Sequence, residues 1–123
     1  MNKQNIICEF VDVAGWREDD EYSHYPEGSR PKRAYFPPAE NIPYFIKPSR
    51  RYLFKYSRER YPDQFWTEVV AFHIGCILGI DVPPAFPAIN STTGECASVI
   101  EWFYVDGKAV FIQGGNLMQR MYK

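Results

Sequence analysis

The residues with the clearest capacity for chemistry are a lysine and a glutamate thirteen places apart, Lys55 and Glu68. Lys55 ends a short apolar strand, Tyr52-Leu53-Phe54, and a polar turn over Tyr56 to Tyr61 follows it. The pattern predicts a helix that starts at Pro62 and Asp63. Proline fits the first turn, and an early carboxylate suits the positive end of the helix dipole. Gly79 is expected to close this helix, because glycine accepts the left-handed conformation of a helix stop. A lysine fixed at a strand end can hold phosphate oxygens, and a carboxylate on the next helix can hold the lysine in place. On pattern alone the bland alternative stays open: a surface lysine and a solvated helical glutamate.

The helix must position Glu68. Trp66, Val69, Val70, His73, Ile74, Ile77 and Leu78 recur at spacings of three and four, which predicts one buried stripe with Glu68 on its flank. Around it the chain reads as short strands. Asn5 to Val13 is β-branched and apolar. Ala34 to Phe36, Ala85 to Ile89 and Ala97 to Tyr104 follow the same logic, and Asp106-Gly107 predicts a hairpin turn with a return over Lys108 to Gln113. Turns are expected at Pro37 to Asn41 and Asn90 to Glu95, and Arg17 to Ser23 reads as a charged, solvated turn. Asn116 is a candidate N-cap for a short C-terminal helix. The expected fold class is α+β: a small antiparallel sheet with one main packed helix and a short C-terminal helix.

The chain of 123 residues suits one domain, and its 46% hydrophobic and 17% aromatic content supports a core. A net charge of −1 gives no general attraction to nucleic acid or to a membrane surface. Cys8, Cys76 and Cys96 show no CxxC spacing, which points to free, buried thiols in a reducing compartment. No apolar run approaches the ~20 residues of a membrane span, and the N-terminus lacks an apolar signal core, so a cytoplasmic protein is expected. The acids from Glu18 to Glu21 are adjacent in sequence, which by itself brings no metal ligands together. His24 and His73 form no triad and no metal-ligand spacing with other residues, and His73 is expected to be a packed, hydrogen-bonded core residue.

Four stretches together resemble the small lobe of HipA-type serine/threonine kinases, the toxin kinases of bacterial toxin–antitoxin systems and their relatives. Gly28-Ser29-Arg30-Pro31-Lys32 is similar to the family's GxxPK turn at the phosphate loop. Tyr52 to Lys55 resembles its strand ending in the phosphate lysine. Glu68 with Leu78-Gly79-Ile80-Asp81-Val82-Pro83 resembles its E…LGIxVP run. Ser98 to Phe103 resembles the strand entering the hinge. The likeness covers Gly28 to Met118 and implies one domain: an N-terminal strand and loop over 1–22, a core lobe over 23–112, and over 113–123 the start of the connection to a large lobe.

The resemblance implies ATP binding. Lys55 would meet the phosphates, Glu68 would orient Lys55, Gly28, Ser29, Arg30 and Lys32 would close over the phosphates, and Glu101, Trp102 and Phe103 would bond adenine through their main chain. In the family the catalytic and metal-binding acids lie downstream of the hinge. No HRD-like or DFG-like run occurs here, so no catalytic residue and no magnesium ligand is assigned in these residues. Phosphate transfer is expected only with a large lobe supplied in cis or in trans. The aromatics Trp102, Phe103, Tyr104 and Phe111 are candidates for the face that lobe would cover. Ser23 and Ser29 are the candidates for regulatory phosphorylation. The alternative from another class is a non-catalytic interaction module, an antitoxin-like or decoy lobe that binds a kinase partner.

Overall fold

The short apolar segments pair into one curled sheet in the computed structural model, which describes residues 9–20, 32–57, 59–103, 108 and 118–119. Its strands are β1 Val11–Asp12, β2 Arg17–Glu18, β3 Lys32–Phe36, β4 Tyr52–Tyr56, β5 Ala85–Asn90 and β6 Glu95–Glu101; helix α1, Trp66–Leu78, lies between β4 and β5 in the chain. The strand order is β1-β5-β6-β4-β3-β2. The fold class is α+β, as expected. The sheet is antiparallel except at one edge, where β1 runs parallel to β5.

Alternation along β4 and β6 sends Tyr52, Phe54, Ala97 and Val99 into a core shared with Val11, Val13, Trp16, Tyr35, Ile46 and Phe86. Aromatic rings fill much of it. Tyr35 meets Phe54 edge-on at 5.6 Å, and Phe86 lies 4.6 Å from Phe45 and 5.8 Å from Phe72. The Tyr52 hydroxyl accepts the Lys47 N–H at 3.0 Å, and burial pushes the Tyr52 phenol above its usual pKa. The turn expected over Asn90–Glu95 joins β5 to β6, with Gly94 at φ 77° donating its N–H to the Asn90 carbonyl. Asp12 ties β1 to this turn by accepting the N–H groups of Ala14 and Ser91. Its hydrogen bonds, that from the Ser91 side chain first, hold its carboxyl below the usual range.

Three local expectations need correction. Arg17 and Glu18 are not part of a solvated turn; they pair with Phe36 and Tyr35. Arg17 lies 4.6 Å over the Phe36 ring, and the neighbouring Asp19 is buried in an ion pair with Arg51 at 2.9 Å. Partners distant in sequence make this strand, so local charge density hides it.

Helix α1 begins at Trp66 rather than at Pro62. Phe65 occupies the cap position with no capping side chain, and turns from Tyr61 to Thr67, closed by bonds three residues back, lead into it. Gly79 ends it at φ 68°, with the Ile80 N–H returning to the Gly75 carbonyl.

The buried face of α1 also differs from the expected stripe. Of those residues Val69 is buried and Trp66 and His73 are half-buried, while Val70, Ile74, Ile77 and Leu78 are 51%, 50%, 82% and 64% exposed. The inward line is Val69, Phe72 and Gly75. An almost wholly apolar helix has no preferred face in its own sequence. Here Phe72 against Phe86, and Gly75 against Val82, choose it.

Gly75 allows that approach. A Cβ there would stand 2.5 Å from Val82 Cγ2 and 3.3 Å from the Ile80 carbonyl oxygen. Gly75→Ala should gain about 1 kcal/mol of helix propensity and lose about 1–3 kcal/mol to overpacking. The expected net result is a lower urea midpoint; a midpoint equal to or above that of the wild type would contradict this packing.

Of the strand expected over Asn5 to Val13, only Val11–Asp12 is strand among the described residues 9–13; residues 5–8 lie outside the described residues, as do the Asp106-Gly107 hairpin and all but Met118 and Gln119 of the C-terminal helix. Among the described residues no helix is long and apolar enough to cross a membrane.

Candidate functional site

Directly opposed residues in an antiparallel sheet share a face, so the register assigns the neighbours of Lys55. Lys32, Lys55, Ser98 and Pro87 form one row across β3, β4, β6 and β5. Ala34, Leu53, Ile100 and Ala85 form the next row, about 6–7 Å away. Beyond it, Arg51 stacks between the rings of Phe36 and Trp102 at 5.3 and 4.9 Å. One face of the sheet thus carries a cationic row beside an apolar row. The other face of β4 carries Tyr52 and Phe54, which belong to the core.

Glu68 lies in the first turn of α1, where the helix dipole favours a carboxylate. Its Oε1 accepts a hydrogen bond from Lys55 Nζ at 3.0 Å. The two side chains are 23% and 27% exposed, so the pair itself contributes at most ~1 kcal/mol to stability. Its significance is positional: it fixes an ammonium group on this face of the sheet, the tray of the nucleotide reading below. Lys32 and Lys55 stand directly opposite each other across β3 and β4, and the Glu68 carboxylate already offsets the Lys55 charge. Lys32 is the first residue of β3 rather than part of a loop. Gly28, Ser29, Arg30 and Ser23 lie outside the described residues, within the connection that joins β2 to β3.

The Glu101 to Phe103 stretch lies about 10 Å along β6 from the lysine row, three residues on from Ser98. The Glu101 N–H donates to the Pro84 carbonyl and the Trp102 N–H to the Arg51 carbonyl, each at 2.9 Å. A base held here would be read by carbonyl oxygens and by main chain beyond Trp102. The Glu101 side chain faces away from the tray, buried, 2.9 Å from Lys47 and 3.4 Å from Arg50. A cleft of about 440 Å³ opens between Glu101–Phe103 and the 81–84 connector, and neither Lys55 nor Glu68 lines it. Phe103 is exposed, as a docking residue would be, and Trp102 is half-buried; Tyr104 and Phe111 lie outside the described residues.

Sequence reasoning gave Ser98 no role beyond its place in the hinge strand and did not foresee that Lys47 and Arg50 pair with Glu101. Ser98 is wholly buried opposite Lys55, and its hydroxyl has no hydrogen-bond partner among the described residues. Its signal was a lone serine within an apolar strand. The signal for the cluster was the basic run from Lys47 to Arg51. Two further expectations fail: His73 is half-buried, with its ring 5.4 Å from Phe72 and no hydrogen-bond partner for its Nε2 among the described residues, and of the thiols Cys76 is half-buried and Cys96 exposed. Among the described residues no three His, Cys, Asp or Glu side chains are grouped to hold a metal ion. Compared with protein-family models, with curated proteins and with solved structures, the chain matches none.

Proposed function

We propose that the chain is the ATP-binding small lobe of a HipA-like serine/threonine kinase, completed by a large lobe in cis or in trans. The observation that carries this reading is the 3.0 Å pair between Lys55 and Glu68, made by strand β4 and the helix that follows it. In protein kinases a glycine-containing loop covers the phosphates, the lysine sits on the third strand, and a helical glutamate holds the lysine. Here β4 is the third strand of the antiparallel run β2-β3-β4, and the connection between the first two contains Gly28.

In this reading Lys55 and Lys32 meet the triphosphate, Gly28, Ser29 and Arg30 close over it, and the partly exposed Leu53 and Ile100 lie beneath the base. The residues fit the phosphates by charge and spacing. Magnesium, which would neutralise phosphate charge when bound, would take its ligands from the large lobe. These residues bind and orient; they do not transfer the phosphoryl group alone. Such a lobe works where ATP is, in the cytoplasm. The exposed apolar face of α1 favours a second reading, a non-catalytic antitoxin-like or decoy module that needs no nucleotide.

Calorimetric titration with MgATP separates the two. The wild type is expected to bind, and Lys55→Ala to bind about 10- to 100-fold more weakly, the cost of losing one charge-assisted contact. Absence of binding in both chains would contradict the nucleotide reading.

A further inference from the structure

The outward face of α1 carries information that the nucleotide site does not use. From Val70 to Leu78 it is uncharged, and its exposed residues are Val70, Ala71, Ile74, Ile77 and Leu78. Their spacing is symmetric about Ile74, with Ala71 and Ile77 three places to either side and Val70 and Leu78 four places to either side. Size is distributed asymmetrically: the smaller residues precede Ile74 and the larger follow it. A two-fold axis through Ile74 with the helices antiparallel would set Ile74 against its own copy. It would also set Ala71 against the partner's Ile77, and Val70 against the partner's Leu78. On either side of the central Ile74 pair, each larger side chain then meets a smaller one, which suits close packing.

We infer that this face pairs with the same face of a second copy, forming an antiparallel helix dimer. Charge permits it. The nearest carboxylate on the helix, Glu68, is held by Lys55, and the chain carries a net charge of only −1. A face without charges offers nothing to recognise a strongly charged partner, whereas an identical apolar face complements it in both spacing and volume. The five side chains expose apolar area on the order of 500 Å² per copy, so the pair buries roughly 1,000 Å², at the lower limit for a specific interface. The association should therefore be weak, with a dissociation constant in the micromolar range, and it does not rest on the nucleotide reading.

Sedimentation equilibrium of the full chain over roughly 1–300 µM tests it. The apparent mass is expected to rise from 14.4 kDa toward twice that value. Ile74→Lys places two ammonium groups on the axis and should hold the chain at monomer mass. Because Ile74 is half exposed, the fold should persist, which circular dichroism checks. Ile77→Ala should weaken association about tenfold or more, while Ala71→Ile together with Ile77→Ala exchanges the facing side chains and should restore it. A wild type that stays monomeric throughout, a dimer indifferent to Ile74→Lys, or a double variant that fails to recover would each overturn the proposal. A chain that binds nucleotide yet never self-associates would overturn this inference alone.

Discussion

Truncating Phe54 to alanine is expected to destabilise the lobe by about 3–5 kcal/mol, the usual range for a buried aromatic. Phe54 is 2% exposed, lies edge-on to Tyr35, and stands opposite Val99 in the sheet. The cavity it would leave is walled by neighbouring sheet strands, which have little freedom to collapse. Against a total stability of about 5–15 kcal/mol, the loss should lower the melting temperature by roughly 10 °C or more. The adjacent residue on the same strand should behave oppositely. Lys55 lies on the other face in an ion pair whose side chains are still 23% and 27% exposed, so Lys55→Ala should change stability by only about 1 kcal/mol while removing most nucleotide affinity. Thermal melts of the two variants side by side test the alternation. Comparable losses in both would mean that β4 does not divide core from site at this point.

Glu68→Ala is expected to weaken MgATP binding about tenfold, although the glutamate itself should not touch the nucleotide. Its work is to hold the Lys55 ammonium group, which otherwise samples the rotamers of a long side chain. The effect should therefore vanish where there is no ammonium to hold. In a double-mutant cycle on binding affinity, Glu68→Ala should cost almost nothing in a Lys55→Ala background, giving a coupling of about 1 kcal/mol or more. Additive losses would show that the two residues act separately and that their 3.0 Å contact is incidental to binding.

Much of the scaffold was legible because it rests on local rules. The short strand over Tyr52–Lys55, the glycine stop at Gly79 and the turn ending at Gly94 each follow from a few neighbouring residues. The Lys55–Glu68 pairing was legible as a hypothesis because a strand, a short connection and a helix leave few arrangements for those two side chains. What failed to show depended on distant partners. The inward face of α1 is set by Phe86 and Val82, since the helix is apolar on nearly all sides. The strand at Arg17–Glu18 exists because β3 pairs with it. The opposition of Lys32 to Lys55 is a matter of register, which the spacing of 23 residues between them (55 − 32) does not reveal.

The most direct test of the nucleotide site is to watch the ammonium groups themselves. With lysine side-chain nitrogens labelled and resonances assigned by single substitutions, MgATP should shift the Nζ signals of Lys55 and Lys32 along a saturating curve. Lys47, bound to Glu101 on the opposite face, should stay in place. Uniform small shifts at every lysine, or none at Lys55 when nucleotide is in excess, would contradict a triphosphate held on that row.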